Sequence, residues 1–276
     1  MRFFTWSNDP TNPKLAPLKE SADRLGIKLE YCGLNAVKWH HYDKIRYLQQ
    51  ALYSLGSEEI ICVVDAHDVF FQKGEEELTY DFNSFQVDAV FGAERGYEQQ
   101  LRKYKDYYDK LKVDSPYRYV NSGTLIGTVQ SLRQIYVPSF AGKLKKVVSS
   151  RPFWKKQADR IRFYRDRFME KLGPAKITPR NEKQQRFFYR PWYDYNDQTH
   201  VGKFIATDKT LNIALDHETK LFWCVAQDYD NIDKHFILKN DLLKNVHTGK
   251  TPGIVHVPFE KRHRSVFEHL FSLVYN

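Results

Sequence analysis

The sequence predicts an α/β protein built on a doubly wound, mostly parallel sheet. Short apolar segments, of which residues 60–64 are the clearest, alternate along the chain with amphipathic segments of helical length. Strands that alternate with helices form parallel sheets, because each helix carries the chain back to the edge from which the previous strand began. The 276 residues can bury a full core, and we expect one domain over residues 1–276.

The first part of the chain sets this alternation. Residues 2–6 are strand-like, and residues 15–26 form an amphipathic helix that Gly26 closes. Residues 42–56 form a second amphipathic helix, again ended by a glycine. The remaining strands are expected at 27–33, 58–64, 87–94, 123–128, 211–216, 220–226 and 252–257, and the remaining helices at 97–112, 197–208 and 262–275.

Residues 129–195 depart from this pattern and hold the basic excess of the protein. The formal net charge is +9. Between residues 143 and 195 there are 16 Lys and Arg against 5 Asp and Glu, which gives +11 and leaves −2 for the rest of the chain. Prolines interrupt the segment, and aromatic residues are frequent in it. We therefore expect a basic, aromatic, helical insertion at about residues 129–195.

Two carboxylates follow the apolar strand at residues 60–64. Asp65 and Asp68 lie three positions apart, so they can meet one ligand only if the chain turns at Ala66 and His67. The carboxyl ends of strands are where open α/β sheets bind ligands, and converging carboxylates suit Mg²⁺ or Mn²⁺. Such a cation would hold a diphosphate. The alternative is that Asp65 caps a turn and Asp68 is solvated.

A second motif, YVNSGTLIG, runs from Tyr119 to Gly127. Asn-Ser-Gly is turn chemistry, and the apolar residues after it predict a short strand. A turn of small residues lets a sugar or ribose approach the backbone closely. An ordinary turn before a strand is the alternative.

Taken in order, the motifs resemble the glycosyltransferase domain of the procollagen lysyl hydroxylases and the related collagen-type sugar transferases. The resemblance rests on D-x-x-D, NSG-x-x-IG, DQ before a helix, an ALDHE segment and I-V-H near the end, between about Lys44 and His256. It implies the GT-A fold. It also implies transfer of a hexose or pentose from a UDP-sugar to an acceptor hydroxyl, with Mn²⁺ (or Mg²⁺) as cofactor.

The resemblance also implies roles for individual residues. The expected metal ligands are Asp65, Asp68 and His256. The residues expected to bind the donor are Lys44, Asn121, Ser122, Gly123 and Asp216.

Asp197 and Gln198 match the end of an acidic run that the family needs for activity. Asp197 is therefore expected to polarise the acceptor hydroxyl or to steady the oxocarbenium-like centre. The alternative is that Asp197 caps the helix that follows, a position where Asp is favoured.

The chain departs from the family in several places. Asn196 stands where the family's acidic run has a further carboxylate, and Thr124 replaces a glycine after the NSG motif. Residues 257–259, Val-Pro-Phe, replace a Gly-Asn-Gly turn after His256, and the loop before Lys44 is shorter. These changes leave the expected metal site intact, and they bear on the identity of the sugar and of the acceptor.

The acceptor is predicted from the basic insertion. Residues 143–195 interleave Lys and Arg with aromatic side chains, a pattern typical of nucleic-acid binding. The favoured acceptor is a hydroxymethylated base in viral or phage DNA, flipped or splayed towards the site. A protein hydroxyl, such as that of hydroxylysine, or a glycan hydroxyl is the alternative. Contacts with nucleic acid are expected from Lys145, Lys146, Trp154, Lys155 and Lys156.

A third hypothesis is a non-catalytic nucleic-acid-binding module with a decayed sugar-nucleotide site, which the intact motifs argue against. The three cysteines, Cys32, Cys62 and Cys224, match no zinc or disulfide spacing. The sequence has no long apolar segment and no signal-like start. We therefore expect a cytoplasmic protein, which would also fit a viral or phage protein expressed in the cytoplasm of its host.

Overall fold

A computed structural model describes residues 1–34, 36, 43–96, 101, 104–136, 197–258 and 263–275 of the chain. The strands of these residues are β1 (Arg2–Trp6), β2 (Leu29–Cys32), β3 (Ile60–Val64), β4 (Val69–Phe71), β5 (Ala89–Glu94), β6 (Tyr119–Thr128), β7 (Ile213–Asp216), β8 (Phe222–Cys224), β9 (Phe236–Lys239), β10 (Leu242–Asn245) and β11 (Ile254–His256). The helices are α1 (Ala16–Arg24), α2 (Asp43–Tyr53), α3 (Glu75–Asn83), α4 (Lys105–Asp109), α5 (Val129–Tyr136), α6 (Asp197–Thr207) and α7 (Arg264–Tyr275).

The central sheet has six strands in the order β2-β1-β3-β6-β5-β7. β1 pairs in parallel with β2 and β3, and β5 pairs in parallel with β7. β6 runs antiparallel to its neighbours β3 and β5. The other five strands therefore share one direction, which confirms the mostly parallel sheet and brings their carboxyl ends to one edge. A second sheet has the order β4-β11-β8, and β9 forms a hairpin with β10.

Apolar side chains cover both faces of the central sheet. Along β3, Ile61 and Val63 belong to one core cluster, whereas Cys62 and Val64 belong to the other, and all four are buried. Successive side chains of a strand point to opposite faces, so each face receives every second residue. Helices α2 and α5 pack on the first face, and α1 packs on the second. A strand that is buried on both faces explains why residues 60–64 are uniformly apolar.

The structure confirms the predicted end of α1 and corrects the prediction for the NSG motif. Gly26 has a φ of 67° and follows α1, as its sequence position predicts. The prediction of a turn at residues 121–123 was wrong, because these residues lie inside β6. Phe91 of β5 pairs with Leu125, but Gly92 pairs with Asn121, so the β6 backbone bulges between the two pairs. Because β6 runs antiparallel to β3 and β5, the motif near its start lies at the carboxyl edge of those two strands.

Some predicted elements lie outside the described residues, and others were missed. Residues 137–196 are outside, and with them most of the predicted insertion. Of the predicted helix at 97–112, the structure describes α4 as the helical part. Helix α3, strand β4 and the hairpin of β9 and β10 were not predicted. Among the described helices, none is both long enough and apolar enough to cross a membrane. The single domain and the cytoplasmic location stay predictions.

Candidate functional site

Three potential metal ligands meet at the carboxyl edge of the central sheet. Asp65 follows β3, and its backbone N–H donates to the carbonyl of Gly123 (2.8 Å). The chain then bends, as predicted, and returns Asp68 to the same place. His256 ends β11, and the N–H of Val257 after it donates to the carbonyl of Asp68 (2.8 Å). As a result, the ligand atoms of the two aspartates and the histidine lie within 4.8 Å of one another.

The imidazole of His256 has a nitrogen that a cation would satisfy. Its Nε2 is buried, has no hydrogen-bond partner among the described residues, and lies 3.7 Å from a carboxylate oxygen of Asp65 and 3.7 Å from one of Asp68. Those distances are too long for hydrogen bonds. A buried polar atom without a partner is uncommon, because its lost hydration is not replaced. Two carboxylates and one imidazole around an unsatisfied nitrogen fit a divalent cation such as Mn²⁺ or Mg²⁺.

Gly123 keeps open the space beside these ligands. A Cβ atom at this position would lie 2.2 Å from Cε1 of His256 and 2.9 Å from Oδ2 of Asp65. The first distance is well inside van der Waals contact, so neither partner could stay in place. The glycine of the NSG motif is therefore required by the ligand cluster itself.

A lysine and a further carboxylate stand next to the ligand cluster. Lys44 Nζ, at the start of α2, lies 2.5 Å from Oδ1 of Asp65 and 3.8 Å from Oδ2 of Asp197. Asp197 is the first residue of α6, is buried, and accepts a hydrogen bond from Oγ of Ser122 (2.8 Å). Burial acts to lower the pKa of Lys44, but the two carboxylates outweigh it and raise that pKa above its ordinary value. Lys44 is therefore charged at neutral pH.

The two aspartates of the cluster differ in their electrostatic surroundings. Burial raises the pKa of Asp65, even though the charge of Lys44 opposes this effect. Burial acts in the same direction on Asp68, but the His256 ring, in the protonated form that it can take without a metal, and Lys44 outweigh it and hold the pKa of Asp68 below its ordinary value. Two carboxylates forced this close together are stabilised by added positive charge. The cluster therefore favours a cation on electrostatic as well as on geometric grounds.

Glu94 belongs to this site, although the sequence analysis did not select it. It ends β5, is buried, and accepts hydrogen bonds from Nε2 of Gln198 (3.0 Å) and from Nδ2 of Asn121 (2.8 Å). Burial raises the pKa of Glu94, although these hydrogen bonds oppose the shift. One signal was available: Glu94 ends an apolar strand in the way that Asp65 does. Glu94 thus joins the NSG motif to the start of α6.

Asp216 is bound by the backbone that follows it. The carboxylate is fully buried at the end of β7, and it accepts hydrogen bonds from the N–H groups of Lys220 (3.0 Å), Leu221 (2.7 Å) and Phe222 (2.7 Å). Burial raises the pKa of Asp216 to about 6, against the effect of these three bonds. The carboxylate therefore fixes the turn between β7 and β8. Its contact with the donor stays a prediction.

A second set of possible metal ligands consists of Asp228, His235 and His247. Here the carboxylate of Asp228 already forms an ion pair with Arg95 and accepts a hydrogen bond from the hydroxyl of Tyr117 (2.8 Å). Nδ1 of His235 and Nε2 of His247 lie 2.9 Å apart and share a hydrogen bond. The potential ligand atoms of this second cluster are thus satisfied without a cation.

The predicted contacts with nucleic acid lie in the part of the chain that the structure leaves undescribed. They are Lys145, Lys146, Trp154, Lys155 and Lys156. The structure does bring together most of the other predicted site residues. Those joined by the contacts above are Lys44, Asp65, Asp68, Asn121, Ser122, Gly123, Asp197, Gln198 and His256.

The chain is similar in fold to solved glycosyltransferases. The match with the WbbM bifunctional glycosyltransferase covers 100% of this chain and 50% of that one, at 10% identity and a TM-score of 0.50. A glycosyltransferase involved in the glycosylation of the major capsid of PBCV-1 matches at 10% identity, with 98% of each chain covered and a TM-score of 0.43. Mouse xyloside xylosyltransferase 1 matches at 13% identity, over 94% of this chain and 99% of that one, with a TM-score of 0.42. No curated protein sequence matches the chain.

The likeness to WbbM shows the GT-A fold, which the motifs predicted. The family model of the PLOD GT domain, the glycosyltransferase domain of the lysyl hydroxylases, matches residues 15–188. Together with this family match, the fold identifies the chain as a glycosyltransferase of the GT-A type. The matched span is more than half of the chain, and the chain therefore belongs to this family.

Proposed function

We propose that the protein transfers a hexose or pentose from a UDP-sugar to an acceptor hydroxyl, with Mn²⁺ or Mg²⁺ bound by Asp65, Asp68 and His256. The observation that carries this proposal is the buried, unpartnered Nε2 of His256 between the two carboxylates. The cluster lies at the edge of the sheet where α/β folds bind their ligands. Membership of the PLOD GT domain family supports the choice of a nucleotide-sugar donor.

The reaction breaks the bond between the anomeric carbon and the diphosphate and forms a bond from that carbon to the acceptor oxygen, which loses its proton. When bound, the cation would offset the charge on the leaving diphosphate, an effect of several kcal/mol in comparable sites. Lys44 adds a fixed positive charge at the same edge. Asp197 is the proposed partner of the acceptor hydroxyl or of the oxocarbenium-like centre. Ser122 holds that carboxylate in one orientation.

A donor screen tests this function. UDP-sugars are added to the protein with Mn²⁺ or with EDTA, and both the melting temperature and the release of UDP without acceptor are measured. We expect one UDP-sugar to stabilise the protein in the presence of the metal, by about 2.7 kcal/mol at a hundredfold excess over its Kd. Asp68→Asn should lose this response. Equal UDP release in EDTA would contradict the proposal.

The proposed acceptor is a hydroxymethylated base in DNA, for which the support is the charge and aromatic content of residues 143–195. Family membership instead favours a protein hydroxyl, such as that of hydroxylysine. If the insertion binds DNA, each phosphate contact should contribute about −0.9 to the log–log salt slope for duplex, or about −0.7 for single strands. Binding that does not respond to salt would remove DNA from consideration.

Variants of the insertion sharpen this test. Replacing Lys145, Lys146, Lys155 and Lys156 together should flatten the salt slope, because four cationic contacts are lost. The same change should leave UDP-sugar hydrolysis unaltered, since the proposed donor site is built from other residues. Trp154→Ala should weaken binding to single strands more than to duplex if the indole stacks on bases. Mass spectrometry of DNA and protein substrates then identifies the acceptor directly.

A further inference from the structure

We propose that Asn121 is a positioning residue that fixes which ring nitrogen of His256 carries the proton, so that Nε2 faces the cation as a free lone pair. This inference rests on the metal site of the proposed function. Asn121 was expected to line the sugar pocket. That role stays a prediction, and the hydrogen bonds of its side chain in the structure are with Glu94, Gly123 and His256.

The orientation of the Asn121 side-chain amide is fixed from two sides. On one side it meets Glu94, whose carboxylate accepts a hydrogen bond, so the group facing Oε2 at 2.8 Å must be the Nδ2 donor. On the other side it meets the backbone N–H of Gly123, which can only donate, so the group facing it at 2.9 Å must be the Oδ1 acceptor. Both partners require the same orientation, and turning the amide over would break both bonds.

This orientation determines the proton position on His256. Nδ1 of His256 lies 3.0 Å from Oδ1 of Asn121. Because that oxygen can only accept, Nδ1 must carry the hydrogen. A neutral imidazole has one N–H, so Nε2 is left without one. Nε2 is the buried, unpartnered nitrogen that lies 3.7 Å from oxygens of Asp65 and Asp68.

Removing the acceptor at position 121 should reverse this arrangement. Among the described residues, the carboxylates that lie within 4 Å of a ring nitrogen of His256 are those of Asp65 and Asp68, and both are 3.7 Å from Nε2. The proton would move to Nε2, where it would occupy the direction from which the cation is bound. Partners that orient a metal-binding histidine typically change metal affinity by about 10- to 100-fold. The chain Glu94–Asn121–His256 is therefore expected to affect metal affinity.

Two variants separate this role from a structural one. Asn121→Leu keeps the size of the side chain but removes the acceptor. The double variant Glu94→Gln/Asn121→Asp exchanges the amide and the carboxylate. Its new amide donates to the new carboxylate, which still accepts from Nδ1 of His256 and from the N–H of Gly123. The oxygen of the new amide still accepts from Gln198. Tyr108→Phe, which removes a buried hydrogen bond to the carbonyl of Gly202 in α6, is the control for lost stability.

The experiment uses the full chain labelled with ¹⁵N-histidine. Long-range ¹H–¹⁵N spectra of the metal-free protein at alkaline pH distinguish the protonated ring nitrogen from the bare one, and calorimetry gives the Kd for Mn²⁺. We expect the wild type, the double variant and Tyr108→Phe to carry the proton of His256 on Nδ1. Tyr108→Phe should bind Mn²⁺ like the wild type, and the double variant, whose carboxylate at position 121 makes the ring more basic, should bind it at least as tightly. We expect Asn121→Leu to carry the proton on Nε2 and to bind Mn²⁺ about 10- to 100-fold more weakly.

The proposal is overturned if Asn121→Leu keeps the proton on Nδ1 with unchanged affinity, or if the double variant loses as much affinity as Asn121→Leu. Should Asn121→Leu not fold, Asn121→Ala removes the same acceptor without adding bulk. The two proposals fail in different ways. If the wild type binds no Mn²⁺, the proposed function fails, whereas the spectra of the metal-free protein still decide the role of Asn121.

Discussion

Two clusters of aspartate and histidine in this protein use the same residue types but differ in how their atoms are satisfied. In the cluster of Asp65, Asp68 and His256, the imidazole Nε2 is buried and finds no hydrogen-bond partner in the part of the chain that the structure describes. In the cluster of Asp228, His235 and His247, the two rings bond to each other and Arg95 neutralises the carboxylate. Residue type alone would rank the two clusters equally as metal sites. The unsatisfied nitrogen distinguishes them.

The space beside the ligands also differs between the two clusters. Next to His256 the chain has Gly123, where even a methyl group would overlap the imidazole. Next to Asp228 the space is filled by the guanidinium of Arg95 and the phenol of Tyr117. A cation site needs both room and unsatisfied ligand atoms. The comparison therefore supports the first cluster as the proposed metal site and a structural role for the second.

The largest expected effect is on the first cluster. Asp68→Ala should lower sugar transfer at least about a thousandfold, since metal stabilisation of the leaving group supplies several kcal/mol and each 1.36 kcal/mol is tenfold in rate. EDTA should have the same effect on the wild type, and added Mn²⁺ should restore the rate. His247→Ala is the matched control in the second cluster and should transfer sugar normally. Full activity of the wild type in EDTA would contradict the proposal that Asp65, Asp68 and His256 bind a metal that the reaction needs.

Gly123→Ala tests the claim about space. The added methyl group would lie 2.2 Å from the His256 ring, so the imidazole must move away from the carboxylates. We expect metal affinity and sugar transfer to fall by about a hundredfold, which at 1.36 kcal/mol per factor of ten lies in the upper part of the 1–3 kcal/mol that overpacking a tight site costs. Gly74→Ala is the control, because its Cβ would make only an ordinary contact, 3.7 Å from the carbonyl of Leu25. Normal Mn²⁺ binding by Gly123→Ala would show that the space is not needed.

Asp197→Asn separates chemistry from helix capping. Asn caps a helix as well as Asp does, so the free energy of unfolding should change by less than about 1 kcal/mol. If the carboxylate acts on the acceptor, the rate should fall at least about a hundredfold, the lower range for general acid–base groups. Turnover and urea unfolding measured on the same preparation decide the matter. A near-normal rate would leave Asp197 with a structural role.

The last expected effect is on stability and not on activity, and it concerns Asp216, whose carboxylate accepts three hydrogen bonds from backbone amides. Its pKa is raised from 3.8 to about 6, so the native state binds a proton more tightly than the unfolded state does. This contribution to stability is fully present below about pH 4 and is lost as pH rises to about 6. Relative to Asp216→Asn, the wild type should therefore lose up to about 3 kcal/mol between these pH values, at 1.36 kcal/mol per unit. Urea titrations of both proteins at both pH values measure their free energies of unfolding. If the difference in free energy between the two proteins is the same at both pH values, the prediction is wrong.

The sequence predicts the proposed metal ligands more directly than it predicts the residues that are proposed to orient them. Asp65 can be predicted because an apolar strand ends in a carboxylate, and His256 can be predicted from the I-V-H motif. Glu94 and Asn121 act through a hydrogen bond between different strands, β5 and β6. That pairing depends on a bulge in β6 that no local pattern revealed. The NSG motif therefore predicts a turn from its composition, although small polar residues favour turns and bulges alike.

The hairpin of β9 and β10 shows a signal that was present but not used. Asn240 and Asp241 connect the two strands, and both have positive φ values, 51° and 57°. A two-residue turn with positive φ at both positions favours Asn, Asp and Gly. The Asn-Asp pair between two apolar segments therefore predicts a hairpin. For residues 137–196 the sequence gives only a composition, and no comparable local pattern predicts their elements.

The most direct test of the comparison is calorimetric titration of Mn²⁺ into the wild type, Asp68→Ala and His247→Ala. The assignment of the metal to the cluster of Asp65, Asp68 and His256 predicts that the wild type and His247→Ala bind a single ion per chain with the same affinity. It predicts that Asp68→Ala binds none at that site. An unchanged Mn²⁺ isotherm for Asp68→Ala, or its loss in His247→Ala, would contradict the assignment.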